Sequence, residues 1–387
     1  MTFFYYIIFL YFLILLIFEI QNNLNKNSPL TICPDNWMIT SGNTESTING
    51  LVKISNPSKK IEIMIPKFKV ETKLLSKTKI NNLKIETEII PKHPDHFSLL
   101  KDYWVTYIVK RKSTTEVFIN IQINHESNLK LLEDVESIWV DIIWSNYGPN
   151  GIINRQDGFV IPQKISKSFS ETKIINKNKS SGVIPVKTHI LGRLDDPIDI
   201  LDYYLSDQLI EGDIITIGET PLAIMQGRYI SSESINETLL ARLLCKSFHP
   251  TSSLATAYGM QTLINIIGPT RAITSWMIAG FLKLLSVKGI FYILAGNQAR
   301  LIDDITGTTA PYDKNIVFGP NNLDDFCRKV YKKFKSEIAI VDVNDLGKVK
   351  ILSSSKNCDL KLLELTLKSN PAGNGDEHTP IVIVRPN

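Results

Sequence analysis

Four short stretches gather carboxylates beside glycines or arginines. They read Arg193-Leu194-Asp195-Asp196, Ala299-Arg300-Leu301-Ile302-Asp303-Asp304-Ile305-Thr306-Gly307, Val341-Asp342-Val343-Asn344-Asp345-Leu346-Gly347, and Asn370-Pro371-Ala372-Gly373-Asn374-Gly375-Asp376-Glu377-His378. Carboxylates at strand ends next to glycines are what a Mg²⁺ or Mn²⁺ site for phosphate chemistry requires. Hard cations take oxygen ligands, and the bound metal then neutralises charge on a nucleotide. The bland alternative is that Asp-Asp pairs cap helices and form turns. Other chemistries are excluded at the level of motif. The chain carries no Gly-x-x-x-x-Gly-Lys-[Ser/Thr] loop, no Gly-x-Gly-x-x-Gly, no His-Glu-x-x-His and no Gly-x-Ser-x-Gly. His93, Asp95 and His96 sit in a proline turn without a further ligand nearby, which reads as a solvated loop.

The elements that must position these residues fall into two regions of different texture. From about residue 34 to 165 the pattern has period two: Val117, Ile119, Ile121 and Ile123 alternate with Phe118, Asn120, Gln122 and Asn124, as in a half-buried strand. Val105–Val109 precedes them across a polar connection that reads as a hairpin. Further strands are expected at Ile61–Ile65, Leu83–Ile90, Ser137–Trp144 and Gly158–Ile161. Trp104, Trp139 and Trp144 read as core and edge aromatics. Short strands with few helical stretches imply a β-sandwich, immunoglobulin-like in type. Such a domain would serve as a spacer or dock a protein partner.

Residues 166–186 are polar and aperiodic and read as a linker. After Pro185 the texture becomes mixed α/β. Helices are expected at Asp196–Leu209, Ser234–Phe248, Ser252–Ile267, Thr270–Ser286 and Asn322–Lys335. Apolar runs suited to buried strands are Ile214–Ile217, Ile290–Leu294, Ile316–Phe318, Ile338–Val341 and Ile381–Val384. Trp276–Leu285 is short and carries Lys283, so it reads as a buried helix rather than a membrane span.

Composition agrees with a division of labour. The chain has 387 residues, 43% of them hydrophobic, and a net charge of +4, which gives no support for a nucleic-acid binder. All 11 alanines lie between Ala223 and Ala372, and seven of the nine arginines follow residue 190. The four cysteines (Cys33, Cys245, Cys327, Cys358) are far apart, which excludes a disulfide scaffold and any Cys-x-x-Cys motif.

Phe3–Phe18 is wholly apolar or aromatic. Since about 20 residues span a hydrocarbon core, residues 1–21 are expected to form a transmembrane anchor. A single-pass protein follows, in contact with the membrane through residues 1–20. The absent disulfide framework favours a cytoplasmic body. The expected organisation is α+β multidomain: an anchor at 1–21, a β-sandwich-like domain at 34–165, a linker at 166–186 and an α/β domain at 187–387.

Over His189–Pro386 the order of motifs resembles the coenzyme F420:L-glutamate (γ-glutamyl) ligase family. His189-Ile190-Leu191 with Asp195-Asp196 looks like that family's opening stretch. Glu211-Gly212-Asp213-Ile214-Ile215-Thr216-Ile217 and Gln226-Gly227-Arg228 resemble its Gly-Asp-Ile strand and Glu-Gly-Arg segment. Ala295-Gly296-Asn297 through Asp303-Asp304, and then Asp342–Gly347, fall where the family has its two metal-aspartate segments. Thr220 stands where the family usually has lysine, Gln226 where it has glutamate, and strict spacing puts Asn344 at the second ligand position.

The resemblance implies the ligase fold for the α/β domain. It also implies GTP- and metal-dependent amide formation between glutamate and a small acid, through an acyl-phosphate. It makes Asp303, Asp304, Asp342 and Asp345 the metal candidates. Gly212, Asp213 and Gly227 become cofactor-binding candidates, and Arg193, Arg228 and Arg300 catalytic candidates that grip phosphate or carboxylate bidentately. A homodimer is compatible with it. The competing expectation is a non-catalytic scaffold that keeps the ligase fold as a binding body at a membrane.

Overall fold

The computed structural model describes residues 5–6, 10, 13, 30–42, 45–76, 83–97, 103–124, 135–148, 151–162, 182–305, 310–343, 347–373 and 377–386. The first domain is a sandwich of two antiparallel sheets. One sheet holds β1 (Thr31–Ser41), β2 (Glu45–Ser55), β4 (Lys84–His93), β5 (His96–Phe97) and β7 (Thr114–Asn124), in the order β1-β2-β7-β4-β5. The other holds β3 (Ile63–Ser76), β6 (Tyr107–Val109), β8 (Val135–Gly148) and β9 (Gly151–Pro162), in the order β6-β3-β8-β9. Period-two patterning builds its core. Val117, Ile119, Ile121 and Ile123 of β7 are completely buried, facing Ile138, Val140 and Ile142 of β8 in one cluster.

Two local expectations change. The segments around Lys110 are not a hairpin, because β6 pairs with β3 while β7 pairs with β2 and β4. Asn56 holds this sheet-to-sheet crossing, its side-chain amide donating to Ile61 O and Val109 O, each at 3.0 Å. His93 is buried rather than solvated. It stacks flat on Tyr107 at 3.9 Å and shares a 2.8 Å hydrogen bond with Thr115, which makes it a packing histidine. Trp104, Trp139 and Trp144 are buried, as core aromatics should be.

The second domain is built on a five-stranded mixed sheet. Its members are β10 (Gly182–Val186), β11 (Ile214–Gly218), β14 (Glu337–Val343), β15 (Val349–Ser354) and β16 (Ile381–Arg385), in the order β10-β16-β11-β14-β15. Only β11 and β14 run parallel. A separate two-stranded ribbon pairs β12 (Tyr229–Ser231) with β13 (Asn315–Val317).

One face of the large sheet packs on α1 (Pro197–Leu205) and α7 (Leu323–Phe334), the other on α8 (Leu360–Thr366) and Leu367. The second aspartate of the Asp195-Asp196 pair, Asp196, caps α1 by accepting from Ile198 N and Asp199 N, so this carboxylate is spent on the helix start. The remaining helices, α2 (Glu219–Met225), α3 (Leu239–Leu244), α4 (Ala257–Ile267), α5 (Pro269–Leu284) and α6 (Ile290–Ala295), include four that form a separate layer around Met260, Leu263 and Phe291.

Here too the structure corrects the expectations. Ile290–Ala295 is a helix, not a strand, because Phe291 and Ala295, one turn apart, bury the same face. Within segment 234–248 the α-helix is the six-residue α3, followed by a 3₁₀ turn at Cys245–Ser247. In α5 the half expected to be buried is open: Met277, Ile278, Phe281 and Leu284 are all exposed, and only Ala272 and Ser275 are buried. Gly182–Val186, placed in the linker on sequence grounds, is a sheet strand, while residues 163–181 lie outside the described residues.

The transmembrane anchor, and with it the single-pass membrane location, is overturned. A crossing needs about 20 continuous helical residues. Among the described residues no helix is long and apolar enough to cross a membrane. Of the expected span 1–21, only residues 5, 6, 10 and 13 are described, and the rest of that stretch lies outside the described residues.

The two domains share a packed interface. Trp139 and Val160 of the sandwich join Ala223, Ile224, Tyr229, Tyr312 and Val317 of the second domain in one buried cluster. Gly158 in β9 is required there, since a Cβ at that position would stand 2.2 Å from the Trp139 ring. Gly158→Ala is therefore expected to cost about 1–3 kcal/mol by overpacking, seen as a lower melting temperature of the full chain.

Candidate functional site

A cavity of about 570 Å³ opens where the carboxyl ends of β11 and β14 meet the loops before α1 and after α8. Three carboxylates reach it from three elements: Glu219 just after β11, Asp303 from the chain before β13, and Asp342 near the end of β14. Parallel pairing of β11 with β14, Gly218 opposite Val341, brings the first and third side by side. Asp303 is placed by backbone exchange with Val317, its N–H donating at 2.9 Å and its carbonyl accepting at 3.0 Å.

Electrostatics mark these carboxylates as a strained set. Burial, reinforced by the Asp342 and Asp303 carboxylates, pushes Glu219 up to about 9. Among the described residues its Oε2 is buried without a hydrogen-bond partner. Burial also pushes Asp303 up to about 6, opposed by the hydroxyl of Thr220, which donates to Asp303 Oδ2 at 2.7 Å. Lys350 stands 3.7 Å from Asp342 and favours the ionised forms of Glu219 and Asp303. Glu219 and Asp303, raised by burial and by the neighbouring Asp342 carboxylate, need a positive charge nearby to ionise. A hard divalent cation supplies one, so the donor chemistry fits such an ion. Among the described residues no three such side chains already stand at metal-holding spacing, so binding would draw the carboxylates together.

His189, Leu191 and Tyr312 also line the cavity. His189 is buried; its Nδ1 lies 2.8 Å from the Tyr204 hydroxyl and its Nε2 3.2 Å from Asp195 Oδ1. Tyr204, pushed up to about 12 mainly by burial, stays a neutral phenol. Asp195 also accepts from Gly192 N at 2.7 Å, which ties the wall segment into a turn.

The other sequence candidates go elsewhere. Asp304 is buried but does not line the cavity, and its Oδ1 accepts from Ile305 N at 2.8 Å. Asp345 and Asn344 lie outside the described residues. Asp213 forms a two-point pair with Arg385, both contacts at 2.8 Å, tying the turn before β11 to the last strand. Gly212 and Gly227 take left-handed conformations, φ +92° and +66°, in turns that do not line the cavity.

None of the three arginines lines it either. Arg193 pairs with Asp157 of the sandwich at 2.8 Å, Arg228 donates to Gly319 O at 2.6 Å, and Arg300 lies over the Tyr292 ring. Gln226 exchanges hydrogen bonds with the Asn321 backbone, holding the same turn.

The structure thus gathers Asp303 and Asp342 and adds Glu219, which sequence reasoning passed over. The signal was present: Gly218-Glu219-Thr220 ends the Gly-Asp-Ile strand, the position where carboxylates were sought in the other segments. Thr220, noted only as a replacement for lysine, is the residue that steadies Asp303.

No curated protein matches the chain. Among solved structures, the GAE domain of GGA2p from Saccharomyces cerevisiae is 12% identical over 35% of this chain and 94% of that one, with a TM-score of 0.20. The N-terminal domain of PorA is 10% identical over 33% of this chain and 96% of its own, with a TM-score of 0.19. A protein from Archaeoglobus fulgidus is 12% identical over 35% and 98%, with a TM-score of 0.16. The family comparison is more specific. Residues 31–165 match the model described as the N-terminal Ig-like domain of F420-0:gamma-glutamyl ligase, so the sandwich of this chain is similar to the Ig-like domain of that ligase family.

Proposed function

We propose that the second domain binds a divalent cation, Mg²⁺ or Mn²⁺, with GTP in the 570 Å³ cavity and joins glutamate to the carboxyl group of a small acid. The observation that carries this is the convergence of Glu219, Asp303 and Asp342 on one cavity, with a buried Glu219 oxygen that has no partner among the described residues. The Ig-like match at residues 31–165 supports it from the other half of the chain.

Glu219, Asp303 and Asp342 would hold the cation, which when bound offsets charge on a transferring phosphoryl group. The chain's own residues do the remaining work. Thr220 keeps Asp303 oriented and biased towards its ionised form. Lys350 keeps a positive charge beside Asp342. Leu191 and Tyr312 give the cavity an apolar wall that limits water on that side. The protons on Glu219 and Asp303 must leave as the cation enters, so binding strengthens with rising pH.

A second reading, a ligase-fold body that binds without turning over, is favoured by one observation. Arg193, Arg228 and Arg300 are all engaged outside the cavity, leaving the lining without an arginine for the phosphates. A turnover assay separates the two. With GTP, Mn²⁺, glutamate and a panel of small carboxylic acids, the ligase reading expects phosphate release that needs both glutamate and one of the acids. Nucleotide and Mn²⁺ binding without phosphate release would establish the second reading.

A further inference from the structure

The chemistry proposed above gives the Ig-like domain no task, yet its strand β9 grips the part of the second domain that carries Asp303. Gln156 N–H donates to Ser234 Oγ at 2.6 Å, and the Ser234 hydroxyl donates to Gln156 O at 2.7 Å. Arg155 donates to Ser234 O. The Tyr229 hydroxyl donates to Gly158 O at 2.8 Å and accepts from Arg193 Nε at 2.8 Å. Asp157 takes both terminal nitrogens of Arg193, at 2.8 and 3.0 Å.

These contacts converge on β12, which lies opposite β13 with Tyr229 facing Val317. Val317 in turn exchanges both backbone hydrogen bonds with Asp303. Tyr229 also meets Tyr312 edge-on at 5.1 Å, and Trp139 meets the same ring at 5.5 Å from the sandwich side. Tyr312 lines the cavity and its hydroxyl donates to Leu191 O at 2.9 Å. An interface that only had to bury area would use apolar side chains. A desolvated two-point Arg–Asp pair is costly to bury and fixes direction as well as distance.

We propose that the Ig-like domain is a positioning element of the cavity: through Asp157, Arg193 and Tyr229 it fixes the β12–β13 ribbon and thereby the place of Asp303 and Tyr312. Asp157 acts as a positioning residue, not a catalytic one. The proposal rests on the reading of Asp303 as a cation ligand for its effect on binding, but not for its effect on the ribbon. Partners that orient a metal ligand are worth about 10–100-fold in affinity, and Asp157, acting at a distance, belongs at about 10-fold.

The test compares the full chain with Asp157→Ala and with Ile121→Ala, a control in the centre of the sandwich core where Ile121 is completely buried. Amide hydrogen exchange and Mn²⁺ affinity are read on all three. Asp157→Ala is expected to speed exchange at Asp303, Tyr229–Ser231 and Asn315–Val317 at least about tenfold, to leave β11 and β14 unchanged, and to weaken Mn²⁺ by about tenfold. Ile121→Ala is expected to lower the melting temperature without either effect. Unchanged exchange at the ribbon in Asp157→Ala, or the same changes in Ile121→Ala, would overturn the proposal. If the unmodified chain takes up no Mn²⁺, the functional reading fails, and faster or unchanged ribbon exchange still decides the positioning claim.

Discussion

Glu219→Gln is expected to make the protein more stable at neutral pH and to weaken its hold on a divalent cation. The sign follows from the raised value of Glu219, about 9 in the fold against an ordinary value near 4.3 for glutamate. Between those two limits the folded chain keeps the proton and the unfolded chain releases it. Folding must therefore take up a proton, and stability falls as pH rises from about 4 towards 9. Glutamine needs no proton, so the variant escapes a penalty on the order of 3 kcal/mol at pH 7. The gain should vanish below about pH 4, where both forms carry a neutral side chain. Losing one of three carboxylates should meanwhile weaken Mn²⁺ by well over about tenfold. Melting curves from pH 4 to 9 and Mn²⁺ titration check both halves. A less stable variant with intact Mn²⁺ affinity would show Glu219 to be a packing residue.

The second large effect belongs to Asp213, which sequence resemblance placed at a cofactor. Its side chain is fully buried and takes Arg385 at two points, while Arg385 also donates to Gln208 O at 3.1 Å. Asp213→Asn leaves an almost fully buried guanidinium without its counter-charge, which costs about 3–5 kcal/mol. Chemical denaturation should show that loss, and nucleotide affinity of the folded protein, measured at low temperature, should stay within about twofold of the parent. Unchanged stability with weaker nucleotide binding would return Asp213 to the cofactor.

What was legible in the sequence was periodicity. The alternation of Val117–Ile123 names a half-buried strand because the side-chain period of a strand is two, and it lies in β7. The apolar runs at Ile214, Ile338 and Ile381 likewise became the central strands β11, β14 and β16. Pairing was not legible. The Lys110–Ser113 turn looks like a hairpin locally, yet it passes between sheets because Asn56, more than fifty residues away, ties up its backbone. The five-residue run Ile290–Leu294 carries no period long enough to separate strand from helix.

At the site, Asp303 and Asp342 were legible as carboxylates at strand ends. Glu219 was not singled out, because it joins them only through the parallel register of β11 with β14. The arginines misled for a physical reason. Arg193 and Arg228 spend their donors on Asp157 and Gly319, and Arg300 lies over a ring, contacts that no local pattern announces.

The central claim, a cavity in which Glu219, Asp303 and Asp342 jointly hold a divalent cation, is tested most directly by titrating Mn²⁺ into the full chain at pH 8 and reading free Mn²⁺ by electron paramagnetic resonance. Saturable loss of the free signal is expected, weakened by each of Glu219→Gln, Asp303→Asn and Asp342→Asn and by lowering the pH to 5. A free signal that tracks added Mn²⁺ from the first addition, or binding indifferent to all three substitutions, would contradict it.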